Sequence, residues 1–487
     1  MADQDTAILS DRAVGMSPRL GPVSVADWSA SKVVSEVVGK LKDKSRRCVG
    51  RAPGRLDIMG GCAGFSGSVV LNMATAAHVC VGVQRRDDGM VRIETVRGKD
   101  SDGSSPIELS VKALFDVEGR PIESDAGVAL LENNDTTVAR CVLGVFVELL
   151  RMPISSGPGG GVSIVVGSTM DNRRGLGRSA ATVAATAVSV ARAMDLPLDL
   201  PRAVGLCRRV ESAWLNLPVA GGDAVCCLVG EPHMLMQSCL LPFDLGAPVP
   251  LPDDLVIIGL DCGVVHPDVV KKFVRVRTAA MMGRTLIDRI IRHENYEGQG
   301  GCDRLSQVSI SDYVERFRDR IPTKLAGQVF YDRFGETGDE LTRIEPGFTY
   351  KVRSRCEHQI YENARGRQFI EELDRAIRLG SGDILAAAGE LMYSSHWSYG
   401  QRCGLGSIET DLLVNLIRGQ GLGADIFGAK ASGMGCGGVV TVLMRSTDCA
   451  WSAIDHVVDT YRSQTGRTAG IIKGSSPGAL VFGAHTI

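Results

Sequence analysis

Apolar residues three and four apart over residues 33–41 predict a first helix, preceded by residues 1–30, which carry no period and are expected to form a weakly ordered arm. The fold proper is expected to start near Arg47. Apolar stretches over 68–83 predict paired strands, with 87–89 as a hairpin turn and 98–105 as a polar surface loop. Helical spacing returns over 138–151, a short buried strand is predicted over 162–166, and 178–194 reads as an alanine-rich helix. The proline-rich piece 241–252 marks a crossing between two halves. Beyond it the pattern predicts a strand over 255–260, helices over 275–291, 357–379, 381–393 and 408–418, a strand over 439–444 and a last helix over 451–465. Strands and helices mix along the chain, no internal repeat is visible, and the expected division is arm and helix 1–45, first domain 46–245, second domain 246–487.

Length supports that division, because 487 residues exceed one ordinary core. With 44% hydrophobic and 23% charged residues and no long apolar run, a soluble protein without a membrane span is expected. A formal charge of -2 supplies no field for nucleic acid, so a small-molecule partner is expected and an oligomer no larger than a weak dimer. The 14 cysteines form no C-x-x-C pair and no signal-peptide pattern opens the chain, so reduced thiols in the cytoplasm are expected, without disulfides or structural zinc. Aromatic content is low at 5%, while 58 glycines direct attention to backbone turns.

Four segments carry candidate chemistry. In 51–68, dense in turn residues, Arg55 is a fixed positive charge suited to a phosphate or a reactive hydroxyl, though a plain strand connection explains the pattern as well. In 175–181, Gly175, Leu176 and Gly177 lead into a helix starting with Arg178, Ser179 and Ala180, after Asp171, Asn172, Arg173 and Arg174. Free N–H groups at such a terminus wrap phosphate oxygens, and Ser179 offers a hydroxyl to magnesium; an ordinary packing helix is the alternative. The Walker-type P-loop is absent. Residues 433–438 contain a formal G-x-G-x-x-G, but a strand follows instead of a helix, which argues against dinucleotide binding and for close backbone approach. Glu211 and Asp223 between them are either turn residues or one acid for metal and one for the acceptor, the pair phosphoryl transfer needs.

In order, spacing and composition these segments resemble the three motifs of the GHMP kinases, the superfamily of galactokinase, homoserine kinase, mevalonate kinase and phosphomevalonate kinase. The chain is most similar to the L-arabinokinase branch, through 51–73, 259–287, 350–369 with its His358-Gln-Ile-Tyr-Glu-Asn363 run, and 403–443. The resemblance implies an α+β protein: an α/β-type, ribosomal protein S5-like N-terminal domain, an α+β C-terminal domain, and the site between them. It implies ATP and Mg2+ as cofactors and phosphorylation of the anomeric hydroxyl of a monosaccharide such as L-arabinose or a galactose-like sugar. Asp223 and Arg55 would be catalytic, Ser179 and Glu211 would hold magnesium, and Gly175, Leu176, Gly177, Arg178, Ser179, Ala180, Gly433 and Gly435 would surround the nucleotide.

The departures from the family pattern concern the acceptor. Gly177 and Arg178 stand where two serines are usual, although mevalonate kinases share the glycine. Gly61, Cys62 and Gly64 replace the Glu, His and Asp of galactokinases; arabinokinases share the first glycine and keep the aspartate. Phe273 replaces a sugar-contacting tyrosine, and Gly222 completes the implied substrate set. A catalytically silent sugar sensor therefore stands as an alternative. So does a kinase for another small alcohol or acidic sugar, if Arg178, Lys271 and Lys272 face an anion and are not simply solvated.

Overall fold

Buried apolar and β-branched residues make two long strands, β1 (Arg47–Met59) and β2 (Val70–Arg86), that pair antiparallel from Arg47 opposite Gln84 to Met59 opposite Leu71. The computed structural model describes residues 32–41, 47–96, 105–152, 160–170, 175–219, 221–294 and 301–487. The arm 1–30, the loop around 98–104 and the run Asp171 to Arg174 lie outside the described residues.

Helix α1 (Lys32–Lys40) precedes β1, and β3 (Met90–Thr95), β4 (Ile107–Ser110), helix α2 (Thr137–Leu150), β5 (Gly161–Ser168) and helix α3 (Arg178–Ala193) follow β2. Next come α4 (Leu200–Arg209), α5 (Gly222–Val229), and the strands β6 (Met234–Leu240), β7 (Phe243–Leu245) and β8 (Val249–Pro250). The first sheet runs β15-β1-β2-β5-β3-β4, with β6 on the far half of β2 and β7 and β8 on β6; β15 (Ala484–Thr486) comes from the chain's end. Alternation along the strands serves both faces: Cys48, Val79 and Val81 join the main core under α2 and α3, while Val49 and Cys80 meet Val34 and Val37 of α1.

Three sequence expectations change here. Residues 70–86 are one strand and not two, because apolar residues continue on both faces of a doubly covered sheet. The turn at 87–89 joins no hairpin, since β5 inserts between β2 and β3 and runs parallel to β3. The segment 241–252 adds β7 and β8 to the first sheet before the chain crosses.

The second sheet, β12 (Ile426–Ala431), β13 (Gly437–Arg445), β9 (Leu255–Val265) and β14 (Gly470–Ile472) in the order β12-β13-β9-β14, is antiparallel throughout. Helix α6 (Val269–His293), a small ladder of β10 (Leu325–Ala326) with β11 (Thr349–Tyr350), and helices α7 (Val352–Leu379), α8 (Gly382–Ser398), α9 (Ile408–Gln420) and α10 (Asp448–Thr465) make up most of the rest of this half, beside shorter helices such as Gly327–Phe334. The main core does not stop at the crossing: Leu56 and Ile58 of β1 share it with Ile257, Phe369, Val439 and Leu443. Residues 484–486, from the stretch expected to lie in the second domain, pair with Cys48, Val49 and Gly50 of β1.

Candidate active site

The turn residues of 51–54 lie inside β1 and break its register between Pro53 and Arg55, a bulge that re-aims the next side chain. Gly54 is needed there, because a Cβ would sit 2.9 Å from the Leu176 carbonyl and 2.6 Å from Met170 Sδ. Arg55 Nε donates to Asp223 Oδ1 at 2.7 Å, its Nη2 donates to Oδ2, and its Nη1 donates to the Gly175 carbonyl. Burial disfavours the guanidinium charge, but the facing Asp223 carboxylate outweighs that and raises the Arg55 pKa. Asp223 stands in the first turn of α5, and its side chain is 30% exposed against 5% for Arg55, so the carboxylate is reachable from the cleft.

On one side of this pair opens a cavity of ≈ 870 Å³ lined by Gly175, Gly177, Arg178, Ser179, Ala180 and Glu211. Gly177 caps α3 at φ 69°, a left-handed conformation that glycine adopts without strain, and the helix N-terminus faces the cavity. Glu211 lies in a π-turn (Val210–Trp214) that prolongs α4 and is anchored by the fully buried Trp214. Burial and the nearby Asp223 charge raise its pKa to about 8, against the pull of Arg55. Its Oε2 is buried without a hydrogen-bond partner, and with the Ser179 hydroxyl it offers the hard oxygen donors a magnesium ion takes.

On the other side a cavity of ≈ 50 Å³ is lined by Gly61, Cys62, Gly64, Gly222 and Phe273 with Asp223 and Arg55. The two cavities share Arg55, Val219, Asp223, Gly433 and Met434. Gly433 approaches the glycine turn of the larger cavity closely, since a Cβ there would be 3.1 Å from Gly175 Cα. Leu176 and Gly435 line neither cavity: Leu176 is buried with its carbonyl accepting from Arg55 N, and Gly435 packs on the Leu405 carbonyl. Lys271 and Lys272 are exposed on α6 and line neither cavity.

Sequence reasoning missed Asp57, Asn72, Phe65 and Met434 in the wall of the smaller cavity. Asp57 Oδ2 pairs with Lys430 Nζ at 3.0 Å, both side chains nearly inaccessible, and Asp57 Oδ1 accepts from Gly61 N at 3.2 Å. The available signal was a polar residue flanked by apolar ones in a buried stretch of strand, at Asp57, Asn72 and Lys430 alike.

Residues 138–231 match the GHMP kinases N terminal domain, and the chain as a whole has the GHMP kinase fold, of mixed α and β content. Among curated proteins it is similar to L-arabinokinase of Arabidopsis thaliana, 29% identical over 489 residues, covering 89% of this chain and 46% of that protein. It is 23% identical over 424 residues to a galactokinase of Chloroflexus aggregans, covering 86% of this chain and 89% of that one. Lactococcus lactis galactokinase complexed with galactose superposes with a TM-score of 0.64 at 17% identity, over 93% of this chain and 97% of that one. A mevalonate kinase structure gives 0.52 at 11% identity, over 88% and 99%. The chain thus spans less than half the length of the plant relative. No helix among the described residues is long and apolar enough to cross a membrane.

Proposed function

We propose that this chain transfers the γ-phosphoryl group of ATP to the anomeric hydroxyl of a monosaccharide, with Mg2+ held by Ser179 and Glu211. The observation that carries this reading is the Arg55–Asp223 pair at the junction of a nucleotide-sized cavity and a small acceptor cavity. Magnesium supplies charge neutralisation along the transferred phosphate. Asp223 takes the proton from the acceptor hydroxyl, whose oxygen forms the new bond to phosphorus while the bond to the ADP oxygen breaks. Arg55 fixes the direction of the carboxylate through two hydrogen bonds, and the N-terminus of α3 receives phosphate oxygens on its free N–H groups.

The similarity to an L-arabinokinase and to galactokinases supports a sugar as acceptor. The wall formed by Gly64 and Phe273 offers no side-chain hydrogen-bond partner at two positions where, by the resemblance, those sugars find one. A lost neutral partner costs roughly 1 kcal/mol and a lost charged one roughly 1.5–3 kcal/mol, which predicts inefficient use of galactose and L-arabinose. ADP release across a panel of monosaccharides, acidic sugars and inositol, with Asp223→Asn as control, tests the reading. Turnover of one panel member that collapses in the control is expected. No turnover with any member, in protein that binds a sugar, would favour a silent sensor and overturn the proposal.

A further inference from the structure

Cys62 Sγ, His358 Nε2 and Cys403 Sγ lie within 4.8 Å of one another, although Cys62 is hundreds of residues from the other two in sequence. All three residues are buried, and Cys62 Sγ is 3.3 Å from His358 Nε2. The other imidazole nitrogen, His358 Nδ1, is 2.9 Å from Ser398 Oγ, so a proton donated there leaves the Nε2 lone pair facing the two sulfurs. The Arg355 guanidinium interacts electrostatically with both sulfurs, while burial pushes the Cys62 thiol well up. In a tetrahedral zinc site, bonds of about 2.3 Å to sulfur and about 2.0–2.1 Å to nitrogen place the ligand atoms less than about 4 Å apart. The cluster therefore needs only small rotations to close on an ion.

We propose that Cys62, His358 and Cys403 form a binding site for a thiophilic divalent cation, zinc by preference, in the wall of the acceptor cavity. Two thiols and one neutral imidazole take up Zn2+ with release of two protons, and the resulting two thiolates neutralise the ion, which makes its burial tolerable. Three protein ligands leave a fourth position for water or a small ligand. Cys62 itself lines the acceptor cavity, which gives the ion a route in. The three ligands come from a 3-10 turn (Gly61–Ser66) after β1, from α7 and from a π-turn (Tyr399–Cys403) after α8, so the bound ion joins the acceptor turn of the first half to two elements of the second. The spacing of the cysteines along the chain hides this arrangement, which is why no zinc is expected from the sequence.

The test is a Co2+ titration of the full, thiol-reduced chain in the absence of nucleotide and sugar, so that its result is independent of phosphoryl transfer. A thiolate-to-cobalt band in the near ultraviolet, saturating at one equivalent and displaced by Zn2+, is expected. Cys403→Ser should abolish it, and Ser398→Ala should weaken affinity by about 10–100-fold through the loss of the imidazole's orienting partner. Replacing the exposed Cys449 by serine should change nothing. Zinc should also raise the thermal midpoint of the parent but not of Cys403→Ser. If Cys403→Ser fails to fold, Ser398→Ala carries the comparison. Absence of the band at one equivalent, or its persistence undiminished in the folded variants, would overturn the proposal.

Discussion

Asp223 combines two properties that usually exclude each other: a tight double hydrogen bond to a buried arginine and a carboxylate that remains open to the cleft. The arrangement suits a base whose direction must be fixed before a hydroxyl arrives. Asp223→Asn should keep the fold and nucleotide affinity while turnover falls by about 10²-fold or more; steady-state ADP release and a nucleotide titration measure the two effects. Turnover within a few-fold of the parent would remove Asp223 from the mechanism. Glu211 has the opposite character, a carboxylate that burial pushes toward neutrality and whose Oε2 has no protein partner. Glu211→Gln and Ser179→Ala should each raise the magnesium concentration for half-maximal activity by at least about tenfold, and unchanged magnesium titrations in both would refute their role as ligands.

At the scale of elements, α7 is tied to the acceptor turn through Glu362, whose Oε1 accepts from Gly60 N at 3.3 Å and whose Oε2 accepts from Arg365 at 2.7 Å. Burial opposes its charge, but Arg365, His358 and Lys430 prevail and lower its pKa from 4.5 to about 2. The lowered value means that this carboxylate stabilises the fold above pH 4.5 and that the contribution disappears as pH falls toward about 2. Glu362→Gln should cost about 3 kcal/mol at neutral pH, as for a broken buried pair. In urea unfolding at several pH values, the gap between parent and variant should narrow below pH 4.5; a gap independent of pH would contradict this assignment. Helix periodicity located α2, α3 and α7 to α10 well, although α2 and α3 are buried on nearly every side, because most of these helices are bounded by a side-chain cap or a glycine. Long strands buried on both faces leave no alternation to read, so β2 looked like two strands and the order of its neighbours stayed invisible. The turns at 175–180 and 221–223 were legible for the opposite reason, since glycine runs beside charged residues mark places where backbone shape is constrained. Asp57 and Lys430 were missed because their partnership spans 373 positions, a distance no local pattern encodes.

For the whole molecule, the end of the chain matters more than its position in sequence suggests. Ile487 N donates to the Arg47 carbonyl, β15 covers the free edge of β1, and Phe482 lies 4.2 Å under the Arg51 guanidinium. Deleting residues 479–487 should lower the thermal midpoint by at least about 5 °C, with the loss in the first sheet; a parent-like midpoint by scanning calorimetry would show the strand to be dispensable. The buried pair of Asp57 in β1 with Lys430 in β12 bears on a different matter, the heredity of the fold. Each charge is tolerable only because the other half of the chain supplies its counter-ion, and removing one partner of such a pair costs about 3–5 kcal/mol. The two halves are therefore not exchangeable parts. A chimera that takes its first half from a relative lacking an acid at this place inherits a stranded lysine, so recombination among such proteins succeeds only when both positions travel together.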